Sequence, residues 1–92
     1  MTIIFTIPSV LNSGEGEKKL NIDAETLYDA FSIISKLMND DFKRRVFELD
    51  GKTIRSLINV YINGKNIKFN EGMQTELKDG DEIYILPAVA GG

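Results

Sequence analysis

The sequence predicts an α+β fold in which one main helix packs on one face of a mixed sheet of four to five strands. Three observations carry that reading. Two runs of alternating apolar residues open the chain, a long stretch of helical spacing follows, and further alternating runs separated by Asn-Gly and Asp-Gly turns close it. Ninety-two residues support a single core, and no linker, repeat or low-complexity segment divides them.

Thr2 to Ile7 has the two-residue period of a strand, with Ile3, Phe5 and Ile7 on one face and Thr2, Ile4 and Thr6 on the other; Pro8 closes it. A polar loop carrying Gly14-Glu15-Gly16 leads into Lys18 to Ile22. There Leu20 and Ile22 alternate with Lys19 and Asn21, so the two runs read as a hairpin with a long loop. Asp23 or Thr26 is placed to cap the helix that follows. Leu27, Ala30, Phe31, Ile34, Leu37 and Met38 recur at the spacings that line one face of a helix, and Asn39-Asp40-Asp41 is expected to end it.

From Phe42 to Ser56 no period is sustained. Asp50-Gly51 is a turn signal flanked by Phe47, Leu49 and Ile54, compatible with a small hairpin or with an irregular crossover. Ile58, Val60 and Ile62 then alternate into Asn63-Gly64, the pair favoured in tight hairpin turns, with Ile67 and Phe69 expected on the returning strand. Asn70-Glu71-Gly72 and Asp79-Gly80-Asp81 are further turns. The final strand, Glu82 to Leu86, points Ile83 and Ile85 one way and Glu82, Tyr84 and Leu86 the other.

Composition narrows the function. A net charge of −3 and a pI near 4.8 set the chain against phosphate backbones, so nucleic acid is not an expected partner. The one basic run, Lys43-Arg44-Arg45, follows Asp40-Asp41 and reads as a solvated mixed-charge surface. Cysteine and histidine are absent, which removes thiolate nucleophiles, disulfides, the usual zinc ligands and the commonest general base. An enzyme in its own right is therefore the least favoured reading. No glycine cluster has the strand-loop-helix setting of a phosphate loop, so no bound cofactor and no metal are expected. No secretory leader and no apolar run of membrane-spanning length is seen, which predicts a cytoplasmic protein away from membranes.

The last residues are the most informative. The closing strand meets Pro87, which cannot donate a ladder hydrogen bond, and then Ala88-Val89-Ala90-Gly91-Gly92. The expected division is a folded domain over residues 1–87 and a flexible tail over 88–92. A Gly-Gly ending arises by chance roughly once in two hundred chains at average glycine usage, so its setting after the last strand carries more weight than the pair itself. With no Cβ on either residue, such a tail threads a channel too narrow for other residue types.

The order of elements, together with Val60-Tyr61-Ile62-Asn63-Gly64, Leu77-Lys78-Asp79-Gly80-Asp81-Glu82-Ile83 and the closing Leu86-Pro87-Ala88-Val89-Ala90-Gly91-Gly92, resembles the MoaD/ThiS family of ubiquitin-like sulfur carriers over nearly the whole chain. Ile7-Pro8-Ser9-Val10-Leu11 and the tail are most similar to the branch that serves protein-bound cysteine biosynthesis. The molybdopterin synthase small subunit is similar in the same places, although phenylalanine usually stands in that branch where this chain has Leu86. The resemblance implies a β-grasp fold and a carrier role for Gly92: its carboxylate is adenylated by an E1-like partner that uses ATP, then converted to a thiocarboxylate with sulfur from a separate donor. It implies Gly91 as the channel residue and Val89-Ala90 as the approach. Tyr84 and Leu86 become candidates for an apolar docking patch beside the tail, with core burial the alternative for each. Arg55, just before the third strand where related carriers also have a basic residue, becomes a candidate partner contact.

Three functions remain open at this point. One is a sulfur carrier whose acceptor is a pyridoxal-dependent cysteine synthase, the molybdopterin synthase large subunit or a thiazole-forming enzyme. The second is a ubiquitin-like modifier joined through Gly92 to lysines, and the third a binding module with an inert tail. The long stretch from Phe42 to Ser56 favours the larger cysteine-type or molybdopterin-type carriers over the compact thiamine type.

Overall fold

The computed structural model describes residues 1–67 and 72–88. Strands β1 (Thr2–Ile7) and β2 (Lys18–Asp23) are followed by helices α1 (Leu27–Leu37) and α2 (Asp40–Val46), then by β3 (Ile58–Ile62), β4 (Lys65–Asn66) and β5 (Glu82–Pro87). The five strands form one mixed sheet in the order β2-β1-β5-β3-β4. The first and last strands of the chain are parallel neighbours at its centre, and β2, β3 and β4 pair antiparallel with theirs.

The alternation in β1 and β5 puts Ile3, Phe5, Ile7, Ile83 and Ile85 on one face, all 0% exposed. That face is covered by Leu27, Ala30, Phe31 and Ile34 of α1. Phe31 stands edge-on to Phe5 at 5.2 Å between centroids and edge-on to Phe47 at 6.1 Å, so one ring ties the sheet, α1 and the segment after α2 together.

Thr26, rather than Asp23, caps α1: its Oγ1 accepts from the Asp29 amide at 3.1 Å. The helix stops where expected, but two details differ from the sequence reading. Leu37 is 59% exposed, at the flank of the apolar stripe about 70° from its centre at 100° per residue, and Met38, in extended conformation, turns inward instead. The Asn39-Asp40-Asp41 stop also starts a second helix. Asn39 Oδ1 accepts from the Phe42 amide at 3.0 Å, Asp40 and Asp41 occupy the first turn, and Lys43, Arg44 and Arg45 the last, which suits the helix dipole at both ends. Seven residues burying only Phe42 and Val46 are too few to show a period, which is why the helix escapes pattern reading.

After α2 the small hairpin holds over the irregular crossover. Phe47 and Ile54 form an antiparallel bridge around Asp50-Gly51. The Asp50 carboxylate accepts from the Thr53 hydroxyl at 2.6 Å and from the Lys52 and Thr53 amides at 2.8 Å each. Those donors, the Thr53 hydroxyl foremost, hold its pKa down to about 2. The strand returning from Asn63-Gly64 is shorter than expected: β4 ends at Asn66, and Ile67 leaves the ladder to pack against the core. Phe69, Asn70 and Glu71 lie outside the described residues.

Two outcomes follow from this packing. Phe31→Ala removes the ring shared by sheet and helices and is expected to cost about 3–5 kcal/mol in urea denaturation. Because the folded pKa of Asp50 lies below the ordinary carboxylate value, its contribution is complete above about pH 4 and is lost as pH falls toward 2. The stability difference between the wild-type chain and Asp50→Asn should shrink across that window when denaturation is repeated at each pH.

Candidate docking face and tail exit

β5 is fastened at its start, along its length and at its end. Before it, Lys78 and Asp81 close the Asp79-Gly80 turn: the Lys78 amide donates to Asp81 Oδ2 at 2.8 Å and the Asp81 amide to the Lys78 carbonyl at 3.0 Å. The Gly80 amide donates to the Thr2 carbonyl at 2.8 Å, which anchors the turn to β1. Across the sheet, Asn63 Nδ2 donates to Asp81 Oδ1 while Asn63 Oδ1 accepts from the Glu82 amide, both at 2.9 Å. Asn63 and Gly64 both have positive φ, 51° and 84°, as a type I′ turn requires, so one residue serves the hairpin and the clamp together.

At the far end Pro87 pairs with Ile58, and the Ala88 amide donates to the Leu57 carbonyl. The chain is thus held to the edge of β3 through Ala88, the first residue of the expected tail. Val89, Ala90, Gly91 and Gly92 lie outside the described residues.

With Ile83 and Ile85 directed into the core, Glu82, Tyr84 and Leu86 face the side of the sheet opposite α1. Tyr84 is half-buried and Leu86 is 36% exposed, so neither is a core residue. Register sets their neighbours: Tyr84 lies between Thr6 of β1 and Tyr61 of β3, and Leu86 lies opposite Asn59. Ile4, half-buried, continues the face beside Glu82. The result is an aromatic and aliphatic band crossing the sheet toward the tail, bordered by the polar side chains of β2. A hollow of about 200 Å³ lined by Thr6, Lys19, Glu82 and Tyr84 indents it.

Tyr84 and Leu86 therefore share one face with each other, whereas Arg55 does not join them. It is exposed ahead of β3 and lines a separate hollow with Lys43 and Arg44. Tyr61 and Ile4 are members of the open face that sequence reading did not select; the parity that places Tyr84 outward places Tyr61 outward too, because Val60 and Ile62 point in. The clamp made by Asn63 and Asp81 had no signal beyond the two turn motifs themselves.

The described residues hold no group of three or more Asp or Glu side chains placed for a metal ion. A hollow of about 570 Å³ between Tyr28, Ile54, Ile58, Ile67 and Met73 is lined by Lys52 and Arg55 and by no described carboxylate. Among the described residues no helix is long and apolar enough to cross a membrane.

Residues 18–92 match the model of the ThiS family. Along the full length of both chains the protein is 34% identical to an Archaeoglobus fulgidus protein provisionally named a sulfur carrier protein, and 29% identical to the sulfur carrier protein CysO of Mycobacterium tuberculosis. It is 40% identical over 53 residues to small archaeal modifier protein 3 of Haloferax volcanii, covering 58% of this chain and 55% of that one. Among solved structures it is similar to a chain of the Amycolatopsis orientalis BexX/CysO complex, with a TM-score of 0.79, 31% identity and coverage of 98% and 99% of the two chains. A two-sided clamp on a central strand, an open face beside it and a full-length match converge on one assignment: the chain belongs to the ThiS family and has the ubiquitin-like β-grasp fold of sulfur carrier proteins.

Proposed function

We propose that this chain is a covalent sulfur carrier, a protein substrate rather than an enzyme, with Gly92 as the carrying residue. The observation that supports it best is the course of β5. A strand clamped at both ends, with Tyr84 and Leu86 on an open face, leads through Pro87 and Ala88 into a sequence ending Val89-Ala90-Gly91-Gly92.

A carboxylate is a poor acyl donor because its leaving group would be oxide or hydroxide. An oxygen of the Gly92 carboxylate attacks the α-phosphorus of ATP on the adenylating partner, pyrophosphate leaves, and a mixed anhydride results. Sulfide attacking the carbonyl carbon expels AMP and gives the thiocarboxylate directly. A persulfide donor gives an acyl disulfide first, which a thiol then cleaves. Since the chain has no cysteine, both sulfur and thiol come from outside it. The thiocarboxylate is a stronger nucleophile than the acid it replaces and delivers sulfur within a site that excludes water. Gly91 gives the terminus access to such a site. Tyr84 and Leu86 make the docking face beside it, and no cofactor is held by the chain itself.

The full-length likeness to CysO proteins supports the cysteine-type route, with a pyridoxal-dependent synthase as the sulfur acceptor. Leu86, in place of the phenylalanine usual in the molybdopterin branch, weighs against a role as molybdopterin synthase small subunit. A second reading, conjugation of Gly92 to lysines of other proteins, is favoured by the partial match to small archaeal modifier protein 3 and requires the same activation.

Intact mass of the chain isolated from its native cells separates these readings. The carrier reading predicts a species with one terminal oxygen replaced by sulfur, abolished by deletion of Gly92; isopeptide conjugates with no such species favour the modifier. Gly91→Val is expected to abolish sulfur loading with little change in stability, which intact mass and urea denaturation check.

A further inference from the structure

Residues 42–57 differ in charge from the rest of the molecule. They carry five cations, Lys43, Arg44, Arg45, Lys52 and Arg55, against two carboxylates, Glu48 and Asp50, in a chain of net charge −3. Asp41 engages Arg45 at 2.9 Å and Arg44 at 3.7 Å. Lys43, Lys52 and Arg55 enter no ion pair among the described residues. Lys43, Arg44 and Arg55 line a hollow of about 500 Å³ whose apolar side chains are Phe47 and Leu49. Glu48 also lines it and is not paired to any of the three.

Leu49 is fully exposed. An exposed leucine alone is ordinary, but the backbone that presents this one is fixed. The Glu48 amide donates to the Thr53 carbonyl at 2.8 Å, the Gly51 amide to the Glu48 carbonyl at 2.9 Å and the Arg55 amide to the Val46 carbonyl at 2.9 Å, and Asp50 ties the turn internally. An apolar side chain already held out on an ordered turn loses little backbone entropy when it docks. Beside Lys43 and Arg55, whose charges enter no ion pair among the described residues, it has the make-up of an interface anchor with a polar rim.

The turn is also continuous with the tail exit. Arg55 borders the cleft that contains Ile58 and Asn59, and two residues after Arg55 the Leu57 carbonyl receives the Ala88 amide. A protein that takes in the chain from Ala88 onward passes beside Leu57, two residues from Arg55. Activation of the tail brings an anionic carboxylate and polyanionic ATP into one site, and binding energy gained elsewhere on the carrier helps to offset their repulsion. Charge pairing away from the reacting atoms supplies that energy and speeds encounter.

We infer that Leu49, with Lys43 and Arg55, forms a second docking surface that seats on an acidic, apolar-pocketed surface of the adenylating enzyme. The inference rests on the carrier reading and adds to it the chemistry of that partner's contact. A second copy of this chain meeting the same surface would set cation against cation, which disfavours self-association there.

The test is pyrophosphate exchange into ATP by the purified cognate adenylating enzyme, with the concentration of the full-length carrier varied. Leu49→Asp and the double variant Lys43→Glu/Arg55→Glu should each raise KM by about tenfold or more with kcat unchanged, as expected when binding away from the reacting atoms is lost. Added salt should raise the wild-type KM toward that of the charge variant. Lys18→Glu, on the outer strand β2, should leave KM unchanged. All the substituted side chains except Lys43 are exposed, and circular dichroism checks that each variant is folded. Exchange with an unchanged KM in both patch variants overturns this inference alone. No exchange with the wild-type chain overturns the carrier reading and this inference with it.

Discussion

The constraint on which the rest depends is the two-residue period of β5 inside a sheet that is covered on one side. Ile83 and Ile85 are wholly buried against α1 and β1, and a one-residue slip would exchange them with Glu82, Tyr84 and Leu86. Burial of the isoleucines therefore determines which side chains the open face displays. Pairing on both sides, parallel to β1 and antiparallel to β3, prevents the strand from drifting, and the contacts of Asn63 with Asp81 and Glu82 set its starting point. The place where the chain leaves the sheet is thereby coupled to the core.

That coupling suits a protein with almost no reactive side chains. The chain holds neither cysteine nor histidine, and its contribution under the proposed role is geometric. Under that role it presents the point where the chain leaves the sheet, at Ala88, beside a recognisable face, while activation and sulfur supply would belong to other proteins. The charge distribution fits the same division. The chain as a whole is acidic, and α2 with the turn after it concentrates cations near the tail exit. Alignment on an enzyme would then draw on surfaces remote from the anionic chemistry.

Much of this was legible in the residues because strand period and turn chemistry are local. β1, β2, β3 and β5 follow from alternation, the β3–β4 hairpin from Asn63-Gly64, and α1 from a stripe long enough to repeat. What escaped depends on shortness or on tertiary geometry. α2 buries two side chains in seven residues, below the length at which a period shows. β4 stops at Asn66 because Ile67 is drawn to the core, and Leu37 sits at the flank of its helical stripe. Among the candidate site residues, parity placed Tyr84 and Leu86 on the open face. The same parity in β3 was the signal for Tyr61, but it could not show that Arg55 belongs to a different surface or that Asn63 bridges two turns distant in sequence.

The central claim is that the terminal carboxylate of Gly92 is the group that becomes activated, and chemical trapping addresses it most directly. The chain is incubated with the cognate adenylating enzyme, ATP and hydroxylamine, and the product is mapped by tandem mass spectrometry. An acyl adenylate at Gly92 yields a hydroxamate on that residue and on no side-chain carboxylate, in an amount that depends on ATP. A chain recovered without hydroxamate, or with the label on an aspartate or glutamate side chain, would contradict the account.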